Sequence, residues 1–431
     1  MIVLFKILQV ILALSLLIIV HEAGHFLFAK LFHIRVEKFY LFFDVGGKAL
    51  LKFKKGETEF GIGWLPFGGY CKISGMIDES MDLESMKKEP QEWEFRCHPA
   101  WQRLLVMAGG VLFNFLFAIL AFSIISGIWG SAYIPNQQAQ IYPNELARDM
   151  GFRSGDHIIS IDDYEPSDFS SLQADLIRRE GHKVQVLRGT DTVNVYMDQA
   201  RTAEILNSPM MFDLALPFIV DSVSAQENAK ELARGDRILS IDGQSTEFFQ
   251  DAQPVLKACA GRTAEAQILR DGQVVTAPIQ VDSAGKIGIY LKAPNVERRH
   301  YNALESVGQG VKRTGSTITG YVQDLKLVAK PSTGAYKSVG SFIAIGQVFP
   351  SKWDWFQFLN IVALLSIMLG VMNLIPIPGL DGGHILFTLY EMVSGRKPSE
   401  KFLMVMQIIG MFLLFMLMFL AFGNDISRLI R

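Results

Sequence analysis

The sequence has 431 residues; it is half hydrophobic, only 19% charged, and carries a formal net charge of −2. A soluble protein of this length normally contains about 25% charged residues, so the composition indicates segments that lie in lipid. The charge gives no indication of nucleic-acid binding, and three cysteines without C-x-x-C spacing argue against a disulfide framework or a cysteine-based zinc site.

The first predicted element is a membrane span, residues 1–32. The stretch from Ile2 to about Phe32 is apolar apart from Lys6 and a polar group near its end. About 20 apolar residues suffice for a helix to cross a bilayer. The stretch is too long for a signal peptide and lacks a small-residue cleavage site, so we expect it to be retained.

This span contains the sequence HEAGH at residues 21–25. On a helix, His21 and His25 share one face and can direct both imidazoles at one metal ion, while Glu22 can reach a water on that metal. A simpler interpretation is that the three residues mark the cytoplasmic end of the span, where they reach water. Ionisable groups inside a span are costly and usually functional, but a catalytic zinc needs a third protein ligand.

Residues 33–103 are predicted to form a cytoplasmic loop that contains a membrane-associated β-hairpin. The loop is rich in Lys and Arg, as is the segment that contains Arg396, Lys397 and Lys401. Basic residues collect on the cytoplasmic side, which places both termini and the region before the third span outside the cytoplasm. Alternating polar and apolar residues from Lys48 to Phe60 predict strands.

Three further spans are predicted at residues 104–130, 356–378 and 402–422, each an apolar stretch of about the length that a helical span needs. The predicted fold class is therefore a polytopic α-helical membrane protein with four transmembrane helices.

The region between the second and third spans has a soluble composition and contains a repeat. The sequence RSGDHIISID at residues 153–162 recurs as ARGDRILSID at residues 233–242. This pattern of a turn leading into a strand resembles the PDZ domain, and we predict two tandem extracytoplasmic PDZ (α+β) domains at 135–205 and 210–293. They would bind an extended peptide or keep large substrate ectodomains away from the active site. The alternative is two generic β-rich modules without a ligand. Residues 296–355 are predicted to be a helical connector.

The third span ends in the sequence NLIPIPGLDGGH at residues 373–384. Proline and glycine break the helix here, and irregular backbone at membrane depth is tolerated where it is packed in protein or lines a cavity. Asp381 can supply the missing oxygen ligand, with His384 ranked below it, and Asn373 can exchange hydrogen bonds. Residues 379–401 are predicted to be a loop that carries this LDG sequence. The simpler interpretation is an ordinary loop that joins two helices, with Asp381 and Gly382 in a turn. Because the H-E-x-x-H sequence still lacks a third ligand, we favour a metal site that includes Asp381 over an ordinary loop.

HEAGH together with NLIPIPGLDGGH resembles the site-2 protease family of intramembrane zinc metalloproteases, and the resemblance covers nearly the whole chain. It implies that His21, His25 and Asp381 bind Zn²⁺, that Glu22 is the general base, and that Asn373 holds the substrate or the transition state.

The sequence WLPFGGYCKI at residues 64–73 is similar to the family's membrane-associated hairpin. We expect this hairpin, through Gly69 and Tyr70, and the break near Pro376 to hold an unwound substrate. The chain departs from the family pattern at GVLFN (residues 110–114), where the family often has GPxxN, and again at residues 337–342. Neither departure touches the predicted metal ligands.

The predicted function is an intramembrane zinc metalloendopeptidase in the lipid bilayer of a bacterial inner membrane, with its active site toward the cytoplasmic side. Its substrates would be single-span membrane proteins, and the family resemblance implies an anti-sigma factor or remnant signal peptides as examples. Three alternatives are a non-catalytic PDZ scaffold, a transporter that uses His21, Glu22 and Asp381 as an ion pathway, and a membrane-anchored protease of soluble substrates. A transporter would show inverted repeats among its spans, which the sequence lacks.

Overall fold

The computed structural model describes residues 2–76, 89–198, 201–208 and 210–430. Residues 77–88 of the predicted cytoplasmic loop are therefore outside the described part of the chain. The chain divides into two compact units. The helical unit comprises Met1–Gly130, His300–Pro331 and Ala335–Arg431, and the β-rich unit comprises Ser131–Arg299 with Ser332–Gly334.

The described part of the chain contains long helices, short helices and strands. In chain order, the helices are α1 (Ile2–Leu31), α2 (Ala100–Trp129), α3 (Glu145–Asp149), α4 (Leu172–Arg178), α5 (Thr202–Asn207), α6 (Phe249–Ala258), α7 (Ala303–Ala329), α8 (Phe342–Val348), α9 (Trp355–Leu374), α10 (Asp381–Ser394) and α11 (Glu400–Ile430). The strands are β1 (Val36–Phe43), β2 (Ala49–Lys55), β3 (Thr58–Gly63), β4 (Leu65–Ile73), β5 (Ser131–Tyr133), β6 (Ile141–Pro143), β7 (His157–Ile161), β8 (Lys183–Arg188), β9 (Asp191–Tyr196), β10 (Phe212–Leu214), β11 (Val220–Val223), β12 (Arg237–Ile241), β13 (Gln244–Ser245), β14 (Thr263–Arg270), β15 (Gln273–Gln280), β16 (Ile289–Leu291) and β17 (Glu297–Arg299).

Four of the described helices, α1, α2, α9 and α11, are long and apolar enough to cross a membrane. Because a bilayer offers the backbone no hydrogen-bond partners, a chain with four such helices is a polytopic membrane protein. The loop predicted at residues 379–401 is corrected by the structure, in which Asp381–Ser394 form helix α10. Pro376 and Pro378 lack the amide hydrogen and end the preceding helix. Beyond them, apolar residues at helical spacing form an amphipathic face, until Gly395 closes α10 in the left-handed conformation.

The chain after α1 forms a four-stranded sheet in the order β2-β3-β1-β4. Strands β2 and β3 form an antiparallel hairpin, but β1 pairs in parallel with β3 and antiparallel with β4. The region is therefore larger than the predicted hairpin, and residues 65–73 form one edge strand. The sheet packs on α1 through aromatic contacts such as Phe26 with Phe39, whose ring centroids lie 5.5 Å apart.

Glycines allow α1 and α2 to cross in close contact. A side chain on Gly24 would overlap the carbonyl of Gly109, so the two backbones touch at this point. Small residues at helix crossings in membranes permit this kind of backbone approach. Helix α2 also packs against α7 and α9 around a core that includes Phe122, Ile125 and Ile367. The crossing fixes which residues of α2 lie behind the HEAGH sequence.

The β-rich unit contains two modules, each with its own hydrophobic core. The two copies of the repeated sequence have the same local structure: each leads into a strand, β7 or β12, and each strand pairs with the first strand of a longer hairpin. Asp162 and Asp242 follow these strands with φ of 49° and 48°. The shared geometry extends the sequence repeat to the backbone.

Candidate metal centre

Three predicted ligands converge between α1 and the first turn of α10. The Nε2 atoms of His21 and His25 lie 3.2 and 3.3 Å from Oδ2 of Asp381, and 3.2 Å from each other. Helix α1 places the two imidazoles one turn apart on one face, and the break after α9 brings Asp381 to them. Both histidines are buried.

Hydrogen bonding shows which atoms are available at this centre. Nδ1 of His25 is 2.8 Å from the carbonyl oxygen of Val106. A carbonyl can only accept, so Nδ1 carries the proton and Nε2 of the neutral ring presents a lone pair. In the described part of the chain, Oδ2 of Asp381 is buried and receives no hydrogen bond. Lone pairs that meet in this way repel unless a cation lies between them.

The donor set fits zinc. Two imidazole nitrogens and one carboxylate oxygen, with a fourth position left open, are typical of catalytic zinc in proteases. The three ligand atoms lie within 4.8 Å of one another, and this is the one such group found in the part of the chain that the structure describes. His384 lies one turn further along α10 and is not part of the group.

Helix α2 supports the histidines from behind. The amide of Asn114 lies 3.0 Å from Nδ1 of His21, and Asn114 is fully buried. A side chain on Gly110 would overlap both imidazoles, so this position must remain a glycine for the rings to occupy their places. Sequence reasoning noted Asn114 only as part of a motif. An amide in an apolar span was the available signal, because such groups rarely lack a partner or function.

A cavity of about 560 Å³ opens beside the three ligands. Its lining includes Glu22, Asn373, Gly69 and Tyr70. The carboxylate of Glu22 accepts a hydrogen bond from the backbone of Cys71 on β4, and the amide of Asn373 lies 3.4 Å from Nε2 of His21. Four of the predicted site residues therefore face one space with the metal ligands.

Pro376 is placed differently from the other predicted site residues. It is exposed in the segment between α9 and α10 and does not line the cavity. Gly379 and Leu380, which follow it in the same irregular segment, do line it.

A charged cluster under β4 was not predicted from the sequence. Tyr70 donates a 2.7 Å hydrogen bond to Asp44, and Lys38 donates one of 2.8 Å to the same carboxylate. Burial alone would raise the pKa of Asp44, but these two hydrogen bonds outweigh it and lower the pKa. Burial and the bond to Asp44 raise the pKa of Tyr70. The phenol therefore stays protonated and keeps its place at the cavity wall.

Comparisons with known proteins agree with this centre. The family model described as "Peptidase family M50" matches residues 9–417. "Protease RseP" of Yersinia pestis is 30% identical over 452 residues, covering 97% of this chain and 98% of that protein. "Regulator of sigma-E protease RseP" of Salmonella typhimurium is 28% identical, with the same coverage. A Vibrio cholerae protein named "Putative zinc metalloprotease" is 30% identical, covering 99% of both chains.

These matches confirm the resemblance to the site-2 protease family, and they leave no support for a non-catalytic scaffold. The relatives and the four apolar helices support an inner-membrane protein. The relatives named as zinc metalloproteases support zinc as the cofactor. The chain belongs to peptidase family M50, and it is an intramembrane zinc metalloprotease.

Proposed function

We propose that the protein hydrolyses a peptide bond in or near the membrane segment of single-span membrane proteins, with His21, His25 and Asp381 as its zinc ligands. This assignment depends on one observation: two Nε2 atoms lie next to a carboxylate oxygen that receives no hydrogen bond from any residue in the described ranges. Both histidines lie on α1, which is apolar enough to span a bilayer, and Asp381 follows α9, which is another such helix. A substrate that reaches them must itself be in the membrane or at its surface.

Different side chains around the cavity carry out different steps of the hydrolysis. Zinc, when bound, supplies Lewis-acid activation of water and of the scissile carbonyl. Glu22 takes the proton of the attacking water and passes it to the leaving amide nitrogen. The bond from the backbone of Cys71 holds its carboxylate toward the cavity. The amide of Asn373 donates to the oxygen on which negative charge develops.

The substrate lies extended along β4. One edge of this strand pairs with β1, and its residues from Gly68 to Ile73 line the cavity. A substrate helix hides its carbonyls in its own hydrogen bonds, so it must unwind before it can add to a strand edge. Gly69 admits the substrate backbone and Tyr70 holds the strand. Pro376 keeps the opposite segment non-helical, so that Gly379 and Leu380 face the substrate.

The β-rich unit consists of two PDZ domains on the extracytoplasmic side, with the active site toward the cytoplasm. The repeated turn and strand geometry and the basic residues of the cytoplasmic loop support this arrangement. The PDZ domains take a peptide or a substrate ectodomain. The names of the RseP relatives refer to regulation of sigma-E, and we infer that a membrane-bound anti-sigma factor is one substrate class.

Substitution of Glu22 by Gln tests the reaction. We expect Glu22→Gln to keep zinc and to lower cleavage of a single-span reporter in proteoliposomes by about 10²- to 10⁴-fold, because only proton transfer is lost. Glu57→Gln, at an exposed turn, is the matched control and keeps full activity. Cleavage at the wild-type rate in Glu22→Gln, with zinc bound, would refute the assigned role.

A further inference from the structure

Strand β2, at the far edge of the sheet from the cavity, exposes both lysines and large apolar side chains. The lysines at positions 48, 52, 54 and 55 are all exposed. Among them, Leu50, Leu51 and Phe53 are 67, 67 and 62% exposed. Lysine on an edge strand can serve merely to prevent pairing with other strands. That purpose does not require three large apolar side chains in contact with solvent.

A ladder of aromatic rings connects this strand to α1. Ring centroids of Phe26 and Phe60 lie 5.7 Å apart, those of Phe39 and Phe60 5.8 Å, and those of Phe53 and Phe60 5.4 Å. Phe26 belongs to a membrane-spanning helix, so the ladder extends the apolar environment of that helix outward to Phe53. Aromatic side chains of this kind concentrate where a bilayer meets water.

Along β2, Phe53 and two of the lysines point to opposite faces of the sheet. Phe53 lies opposite Phe60, whereas Lys52 and Lys54 lie opposite Gly61 and Glu59 and point to the other face. The other strands neutralise their lysines, since Lys38 pairs with Asp44 and Lys72 with Glu37. Within the described ranges, no ion pair involves a lysine of β2.

We propose that β2 and the preceding Lys48 bind the headgroups of anionic phospholipids, while Leu51 and Phe53 insert among the acyl chains. A basic side chain near an anionic membrane surface adds about fivefold to binding, and the attraction falls within a Debye length. An acidic protein would match the charge but not the exposed apolar face, which lipid satisfies. Binding at β2 holds the sheet at a fixed depth, and its effect on cleavage rests on the proposed role of β4.

The lipid preference can be measured on the full-length protein in nanodiscs that contain phosphatidylcholine and phosphatidylglycerol. Spin-labelled lipids of each type report the relative association of the two headgroups with the protein surface. We expect wild type to enrich phosphatidylglycerol about fivefold or more at 50 mM salt, and to lose most of this enrichment at 500 mM.

Three variants separate the charge of β2 from charge elsewhere. We expect K48Q/K52Q/K54Q/K55Q to fall to within about twofold of equal binding, and the corresponding arginine variant to keep the wild-type preference. The matched control removes four exposed lysines of the β-rich unit, as K230Q/K257Q/K286Q/K292Q, and leaves the preference unchanged. An unchanged preference in the β2 glutamine variant, or none in wild type, overturns the proposal. Lipid association is measured without any substrate cleavage, so this result is independent of the Glu22→Gln experiment.

A second inference concerns Asn114 and rests on a separate observation. Its Nδ2 lies 3.0 Å from Nδ1 of His21, and its buried Oδ1 has no hydrogen-bond partner in the part of the chain that the structure describes. The oxygen and nitrogen of an amide are assigned from the network around them. His21 can offer Nε2 to a metal only if Nδ1 carries the ring proton, and that proton needs an acceptor. We infer that the amide is turned, so that Oδ1 accepts from Nδ1 and sets the tautomer of His21.

Two substitutions distinguish an acceptor at this position from a donor. Asn114→Asp keeps the acceptor, and we expect its zinc affinity to remain within about threefold of wild type. Asn114→Leu removes the acceptor at similar volume and lowers zinc affinity about 10- to 100-fold. Competition with a chelator gives the affinity without an activity assay. If aspartate weakens zinc as much as leucine does, or leucine has no effect, Asn114 is not the acceptor.

Discussion

Asp156 and Asp236 of the β-rich unit and Asp381 of the helical unit have opposite hydrogen-bonding environments. In the β-rich unit, Asp156 accepts two hydrogen bonds of 2.8 Å from Arg188, and Asp236 accepts bonds of 2.8 and 2.6 Å from Arg270. A backbone N–H adds a further bond to each. Among the described residues, none donates a hydrogen bond to Oδ2 of Asp381 in the helical unit. A fully paired carboxylate stabilises a fold, whereas a buried one without a donor is suited to a ligand.

The lowered pKa of Asp236 reflects the hydrogen bonds that its carboxylate accepts. Burial would raise this pKa, but the hydrogen bonds from Arg270 and the backbone of Ala233 outweigh it and lower the pKa. The two modules repeat the arrangement at equivalent positions of the two sequence copies, which indicates a structural requirement of the turn. Asp381 faces two imidazole nitrogens in place of an arginine.

The largest effect is expected at Asp381 itself. Asp381→Asn keeps the shape of the side chain but removes the charge, so we expect zinc affinity to fall by more than about 100-fold, beyond the loss typical of outer-shell changes. Metal analysis of the purified protein measures this. Asp156→Asn is the control, since it should retain zinc. Equal zinc content in the two variants would contradict the contrast between the carboxylates.

Gly110 tests whether the close helix crossing maintains the metal centre. A methyl group at this position would overlap the rings of His21 and His25, so we expect Gly110→Ala to lower zinc content at least about tenfold. In Gly127→Ala, on the same helix, the methyl group would contact the side chain of Ser306, with the hydroxyl at 3.2 Å, and this variant should bind zinc normally. Full zinc content in Gly110→Ala would show that the crossing can relax.

Substitutions at the paired carboxylates should change the stability of the β-rich unit and should not change zinc binding. Arg270→Met leaves Asp236 buried without its partner, and we expect the β-rich unit to lose about 3 kcal/mol of unfolding free energy. Hydrogen–deuterium exchange of β14 and β15 across a urea series gives this value. Adding Asp236→Asn should recover part of the loss, because the remaining group is then neutral. A destabilisation that the second substitution deepens would argue against this explanation.

The sequence predicted those features of the site that depend on local spacing. The i, i+4 placement of His21 and His25 and the helix break before Asp381 follow from short-range rules. The contact of Asn114 with His21 depends instead on where α1 crosses α2, which a single sequence does not reveal. The bond of Tyr70 to Asp44 likewise depends on the pairing of β4 with β1. The segment of helix α10 was predicted as a loop because prolines and glycines are concentrated just before the helix and within its first turn.

The smallest expected effect is on the stability of the β-rich unit at acidic pH. The folded-state pKa of Asp236 is below its unfolded value of about 3.9, so its contribution to stability is complete above that pH. The contribution is lost as pH falls from there through the folded pKa, because the unfolded chain binds the proton first. We therefore expect β14 and β15 of wild type to lose exchange protection below about pH 4 more steeply than those of Arg270→Met, in which most of the shift is absent. Parallel pH profiles for the two proteins would show that the arginine pair does not control acid stability, and would weaken the contrast with Asp381.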